Sequence, residues 1–159
     1  MTSQDLPQVL AVQASCYPPE LHDGAAAFLS RLAFQPTTNL VAETADGISA
    51  YLLSHPWRRG SPPPLDTELP RCDGPADCWF IQDLSVSPDH RGSGLAHALY
   101  TAGREAAAAL QLRRSELIAV QDAEAFWRSL GYRAVTASSG LVPKLMSYGP
   151  GASYMARDL

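Results

Sequence analysis

Four residues, Arg91-Gly92-Ser93-Gly94, stand between two apolar stretches and supply what an anion site needs. Before them Ile81, Leu84 and Val86 suit a pleated strand, which breaks at the turn tripeptide Ser87-Pro88-Asp89. After them Leu95, Ala98 and Leu99 recur at helical spacing. The first turn of such a helix leaves backbone N–H groups pointing outward, and the helix dipole favours negative charge there. Gly92 and Gly94 carry no Cβ, so the backbone can approach a phosphate closely. Arg91 adds a permanent positive charge. The plain alternative is a tight strand-to-helix turn that binds nothing. Two other phosphate loops are excluded: no Lys follows Gly94 as GxxxxGK[ST] requires, and His97 stands where GxGxxG needs its third glycine.

The elements that must position this loop fit within 159 residues, which predicts one domain spanning 1–159 with a full core. Apolar content of 46% and charged content of 18% place the chain among globular proteins. A net charge of −4 leaves no basic stripe for nucleic acid, so an anionic ligand must be held locally. No apolar run reaches the ~18 residues of a membrane span. The first ten residues lack a basic, then apolar, leader, and the cysteines (Cys16, Cys72, Cys78) are odd in number, so a reducing cytoplasm is the expected setting. Cys72 and Cys78 lie too far apart for a CxxC zinc clasp, and no metal is expected.

In chain order, a helix is expected from about Asp5, with Pro7 in its first turn, to just before Tyr17-Pro18-Pro19. A second spans 24–33 with Ala27, Phe28, Leu29 and Leu32 inward. Strands at 39–43 and 48–55 flank the hairpin turn Ala45-Asp46-Gly47. Residues 56–77 hold six prolines and fit no regular element; they read either as an excursion or as a wall over a pocket. A strand at 78–86, a helix at 93–110, a strand at 115–121, a short helix at 123–130 closed by Gly131, and a strand at 132–137 follow. A loop at 138–151 and a last strand at 152–157 end the chain.

Two segments carry a family resemblance. Arg91-x-x-Gly94-x-Ala96, preceded by Leu84-Ser85-Val86-x-Pro88, resembles the acyl-CoA signature of the GNAT superfamily of N-acetyltransferases. Phe126-Trp127-x-x-Leu130-Gly131-Tyr132 resembles that family's FYxxxGF segment. The resemblance covers nearly the whole chain. It implies an α/β (α+β) fold with a mixed, mostly antiparallel sheet, flanked by helices and splayed around a CoA site. The family's N-terminal strand looks missing or very short here, which leaves strand 39–43 at an open edge that a homodimer partner could cover. The resemblance also implies acetyl-CoA as co-substrate. Backbone groups of Leu84, Ser85 and Val86 would pair with the pantetheine arm. Backbone N–H groups of Gly92, Ser93, Gly94, Leu95, Ala96 and His97, beside Arg91, would hold the pyrophosphate. Gln121 and Phe126 would meet the cofactor from the other side.

Direct transfer to an amine, on a small molecule or a peptide N-terminus, needs a base, an oxyanion donor and a proton for the leaving thiolate. Asp83 is the favoured base, since some relatives acting on amino sugars carry a Glu-Asp pair where this chain has Gln82-Asp83; its bland role is to bond a loop backbone. His55 is the second candidate, and with Trp57 is expected to meet the acceptor. Asp122 and Glu124 read more simply as first-turn charges that suit the helix dipole. The family's usual acid is the Tyr of FYxxxGF, but Trp127 stands there, and an indole N–H does not give up its proton. Tyr148, in the segment Ser147-Tyr148-Gly149, is the proposed substitute. The same Trp127 keeps a second class open: a non-catalytic acyl-CoA-binding or regulatory module. A third is an interaction domain whose glycine loop binds nothing.

Overall fold

Helix α1, Leu6–Cys16, starts where Pro7 costs no hydrogen bond and stops before Tyr17-Pro18, whose proline disfavours helical backbone in the residue ahead of it. The computed structural model describes residues 1–70, 74–121, 123–136, 140–146, 148–149 and 151–159; Cys72, Asp122 and Ser147 lie outside them. Helix α2, Ala25–Phe34, turns a different face inward from the one expected. Ala27, Phe28 and Arg31 are buried and Leu29 is 42% exposed. Positions 27, 28 and 31 form one stripe, and residue 29 lies about 100° further round the helix from 28. Arg31 is held inside by its Nη1, which donates to Ala27 O (2.8 Å) and Thr67 O (3.0 Å), while its Nε and Nη2 find no hydrogen-bond partner among the described residues.

The sheet has six strands: β1 Leu40–Thr44, β2 Gly47–Trp57, β3 Cys78–Val86, β4 Arg114–Ala119, β5 Arg133–Ala134 and β6 Ser153–Asp158. Their spatial order is β1-β2-β3-β4-β6-β5, and every pair is antiparallel except β3 with β4. Among the described residues no strand precedes α1, and β1 stands at the sheet edge. Helices α1 and α2 cover one face, where Phe28, Tyr51 and Leu53 are buried. Helix α3, Leu95–Ala109, covers the other, over Leu52, Trp79 and Ile81. Each such side chain contributes roughly 1.5–3 kcal/mol when fully buried. Gly103 lets α3 come close: a Cβ there would lie 2.4 Å from Leu52 Cδ2 and 2.8 Å from Trp79 Cζ2.

One irregularity decides which way the chemistry faces. The β2–β3 register jumps from Leu53↔Asp83 to Ser54↔Ile81, so Gln82 is an extra residue on β3. Trp79 and Ile81 point towards α3. Strict alternation would send Asp83 and Ser85 the same way. The bulge reverses the phase, and both meet Tyr17 on the α1 face instead.

After α4, Glu124–Ser129, the chain departs from expectation. Strand β5 is two residues long, both exposed, and none of residues 133–136 is buried; residue 137 of the expected strand lies outside the described residues. Within the expected loop lies α5, Val142–Met146, whose Pro143 falls in the first turn of a helix, where no N–H is missed. No helix among the described residues is long and apolar enough to cross a membrane.

Candidate active site

Parallel strands β3 and β4 pair only over Trp79↔Ser115, Phe80↔Glu116 and Ile81↔Leu117. Past that point β3 runs on to Val86 with its β4-facing edge free, and a cleft of about 440 Å³ opens between the strands. Leu84, Ser85, Val86, Arg91, Ala96, Gln121 and Phe126, all expected to hold a cofactor, line it together. Gly92, Ser93, Gly94 and Leu95 lie in the chain between the lining residues Arg91 and Ala96 without being part of the lining themselves; His97 follows Ala96, its ring edge-on to the lining Phe126 at 5.5 Å.

The mouth is made of backbone. Gly92 (φ 78°) and Gly94 (φ 87°) are left-handed, which turns the chain from the 3₁₀ segment Pro88–His90 into α3. Among the described residues nothing accepts from the N–H groups of Gly92, Gly94, Leu95, Ala96 and His97. A Cβ built on either glycine meets no atom within 4 Å. The loop therefore offers unspent donors beside open space at a helix start, the requirement for a phosphate cradle.

The inner end is made of side chains. Asp83 takes three hydroxyl donors: Tyr17 Oη at 2.7 Å and Ser85 Oγ at 3.0 Å on Oδ1, and Tyr51 Oη on Oδ2. Burial pushes its carboxyl up to about 6 although these three bonds pull the other way. Asp23, also in the lining, accepts from Gln82 Nε2 (3.0 Å) and from the backbone N–H of Asp66 (2.5 Å); its carboxyl too is raised, chiefly by burial, against Arg31. Tyr148 reaches this end and donates to Pro63 O at 3.2 Å; burial pushes its hydroxyl up to about 12. Leu65 from the proline-rich segment joins the lining, so part of that segment is wall.

His55 and Trp57 are not brought to the cleft. Strand β2 runs on past His55, pairing it with Phe80 and Trp57 with Cys78, so the histidine sits mid-strand under α2 and not at a strand end. Its ring packs against Phe34, Trp57 and Phe80, and burial pushes it down to about 3, leaving it neutral. Trp57 Nε1 is spent on Ser61 O. Trp127 does line the cleft, wedged among Phe126, Tyr100 and Tyr132. Among the described residues no group of His, Cys, Asp and Glu is placed to hold a metal ion.

Sequence reading missed Tyr17, Asp23 and Tyr51. Tyr17 reads as a helix stop, and its partner Asp83 is 66 residues away. No local pattern signals such a pair.

A sequence model of the acetyltransferase (GNAT) family matches residues 6–132. A search of curated proteins finds no match. Among solved structures, the chain is similar to Ard1 from Thermoplasma volcanium (TM-score 0.73, 16% identity, covering 100% of this chain and 94% of that one). It is similar to Arabidopsis thaliana Naa50 in complex with the bisubstrate analogue CoA-Ac-MVNAL (0.72, 12%, 100% and 95%). It also resembles the GNAT-like decarboxylase GphF in complex with isobutyryl-CoA (0.77, 15%, 99% and 96%). At these identities the likeness establishes the fold.

Proposed function

The chain belongs to the acetyltransferase (GNAT) family, and on that premise we propose that it transfers an acetyl group from acetyl-CoA directly to a primary amine. The parting of β3 from β4 carries this reading: it leaves a free strand edge in a cleft that runs from unspent N–H groups to a buried carboxylate. Leu84, Ser85 and Val86 pair with the pantetheine arm as a neighbouring strand would. The N–H groups of Gly92 and of Gly94 to His97, with Arg91, hold the pyrophosphate, whereas that of Ser93, also expected there, already donates to His90 O (3.4 Å). Gln121 and Phe126 close on the arm from the β4 side. The open space at Gly92 and Gly94 fits that ligand. The CoA compounds held by Naa50 and GphF on this same fold support it.

Asp83 serves as base. The amine nitrogen bonds to the acetyl carbon, its proton passes to Asp83, and the carbon–sulfur bond breaks with its electron pair left on sulfur. A carboxyl at its ordinary 3.8 would be a poor acceptor near neutrality; one lifted to about 6 is better matched. Backbone N–H groups of β3 donate to the acetyl oxygen as negative charge develops on it. Tyr148 offers the thiolate the hydroxyl that Trp127 lacks, once it leaves Pro63. Thiol release from acetyl-CoA across an amine library tests the reading. Release with at least one amine is expected. Tight CoA binding with no release from any amine identifies a binding module instead, and no CoA binding ends both readings.

A further inference from the structure

A polypeptide N-terminus presents its amine on an extended chain, at ~3.3 Å per residue, so the residues behind it need an open channel to solvent. Three parts of the chain contribute to the inner end of this cleft: 17–24 between the first two helices, the proline-rich 58–70, and Tyr148. The structure ties all three together. Asp66 and the start of α2 clasp each other, with Asp66 N–H on Asp23 Oδ1 (2.5 Å) and Gly24 N–H on Asp66 Oδ1 (2.7 Å). Gln13 holds Asp23 from behind, through both its backbone N–H and its carbonyl at 2.9 Å. On the other side Tyr148 donates to Pro63 O (3.2 Å) and Lys144 Nζ to Pro62 O (2.5 Å).

The strap between these clasps is itself anchored. Gly60 N–H donates to Glu116 Oε2 (2.9 Å) and Tyr154 Oη (3.1 Å). Further on, Thr67 O accepts from Arg31 and Leu69 N–H donates to Ser30 Oγ (3.1 Å). Pro62, Pro63 and Pro64 fix their own φ angles, so little backbone freedom remains for the strap to swing aside. Leu65 occupies the inner cleft. The strap thus joins the start of α2 to the segment around Tyr148 across the inner end of the cleft.

We infer that the acceptor is a compact small-molecule amine held beneath this tied strap, and that a polypeptide N-terminus is excluded by it. The inference rests on the acetyl-transfer reading and narrows its acceptor. Charge agrees with it at Asp83: this carboxyl lines the inner end and the sole cation among the described lining residues is Arg91, whereas Asp23 is offset by Arg31 behind it.

Two bisubstrate analogues test this by calorimetry on the full chain: CoA joined through an acetyl link to butylamine, and CoA joined the same way to the N-terminus of a pentapeptide. The butylamine analogue should bind at least as tightly as CoA, and the peptide analogue about tenfold or more weaker than CoA. In the double variant Tyr148→Phe, Lys144→Ala, which cuts one clasp, the peptide analogue should recover affinity relative to the butylamine analogue. A peptide analogue that binds the unaltered protein as tightly as the butylamine analogue overturns the inference and leaves the acetyl-transfer reading standing. Failure of CoA itself to bind overturns both.

Discussion

The two ends of the cleft are built on opposite plans. At the mouth, the groups proposed to bind are the backbone N–H groups of Gly92 and of Gly94 to His97, for which no acceptor exists among the described residues. At the inner end, the working groups are side chains of residues scattered from Tyr17 to Tyr148, half-buried or buried and already hydrogen-bonded. A phosphate site needs many weak donors at fixed spacing, which a helix start provides for any sequence that can make the turn. A base needs a shifted pKa, which takes burial and chosen neighbours. The first plan tolerates side-chain change but not backbone change; the second is the reverse.

Asp83→Asn should give the largest effect: turnover falls about 10²- to 10⁴-fold while CoA affinity holds, measured by thiol release and calorimetry. Full turnover in this variant would remove Asp83 as base. In the unaltered protein the rate should rise with pH through an apparent pKa of about 6, as the carboxylate forms. Stability moves the other way. The folded carboxyl titrates at about 6 against its ordinary 3.8, so the native state binds the extra proton between those values. This group's contribution to stability is greatest below that window and lost as pH rises through it, and Asp83→Asn should flatten that part of a denaturation-midpoint series.

At the mouth, Gly94→Val should weaken CoA by roughly 10- to 100-fold, since a β-branched residue is strained at φ 87° and its Cβ enters the space a phosphate would use. Its effect on the pH limb should be nil, and a moved limb would mean the two ends are coupled. Tyr51→Phe probes the inner end more gently. Losing a hydroxyl that favours the charged carboxylate raises Asp83 further, so the limb should move to higher pH by up to about one unit, with CoA affinity unchanged. Arg91→Ala should be smallest, a few-fold loss of CoA affinity that shrinks with added salt, because the side chain is exposed.

Much of the fold was legible. Helices α1 and α2, the β1–β2 hairpin, strand β3 at 78–86 and the α3 and α4 helices stand within about two residues of their expected bounds, since proline, glycine and apolar spacing act locally. Helix α5 and the shortness of β5 were not, because neither has a buried face to leave a pattern. The inward Arg31, where Leu29 was expected inside, could not be foreseen for a related reason: its carbonyl partner at Thr67 lies 36 residues away.

The turn from Arg91 to His97 could be read from its own letters because a strand, a turn and a helix start are set without help from elsewhere in the chain. Asp83 could be named from its letters too, but not aimed. An extra residue at Gln82 flips the pleat, and only the pairing of β3 with β2 reveals it. His55 shows the same limit from the other side: its chemistry suggested a site, and two further residues of β2 buried it among aromatic rings. Backbone turns obey neighbours in sequence, whereas the direction, burial and protonation of a side chain obey neighbours in space.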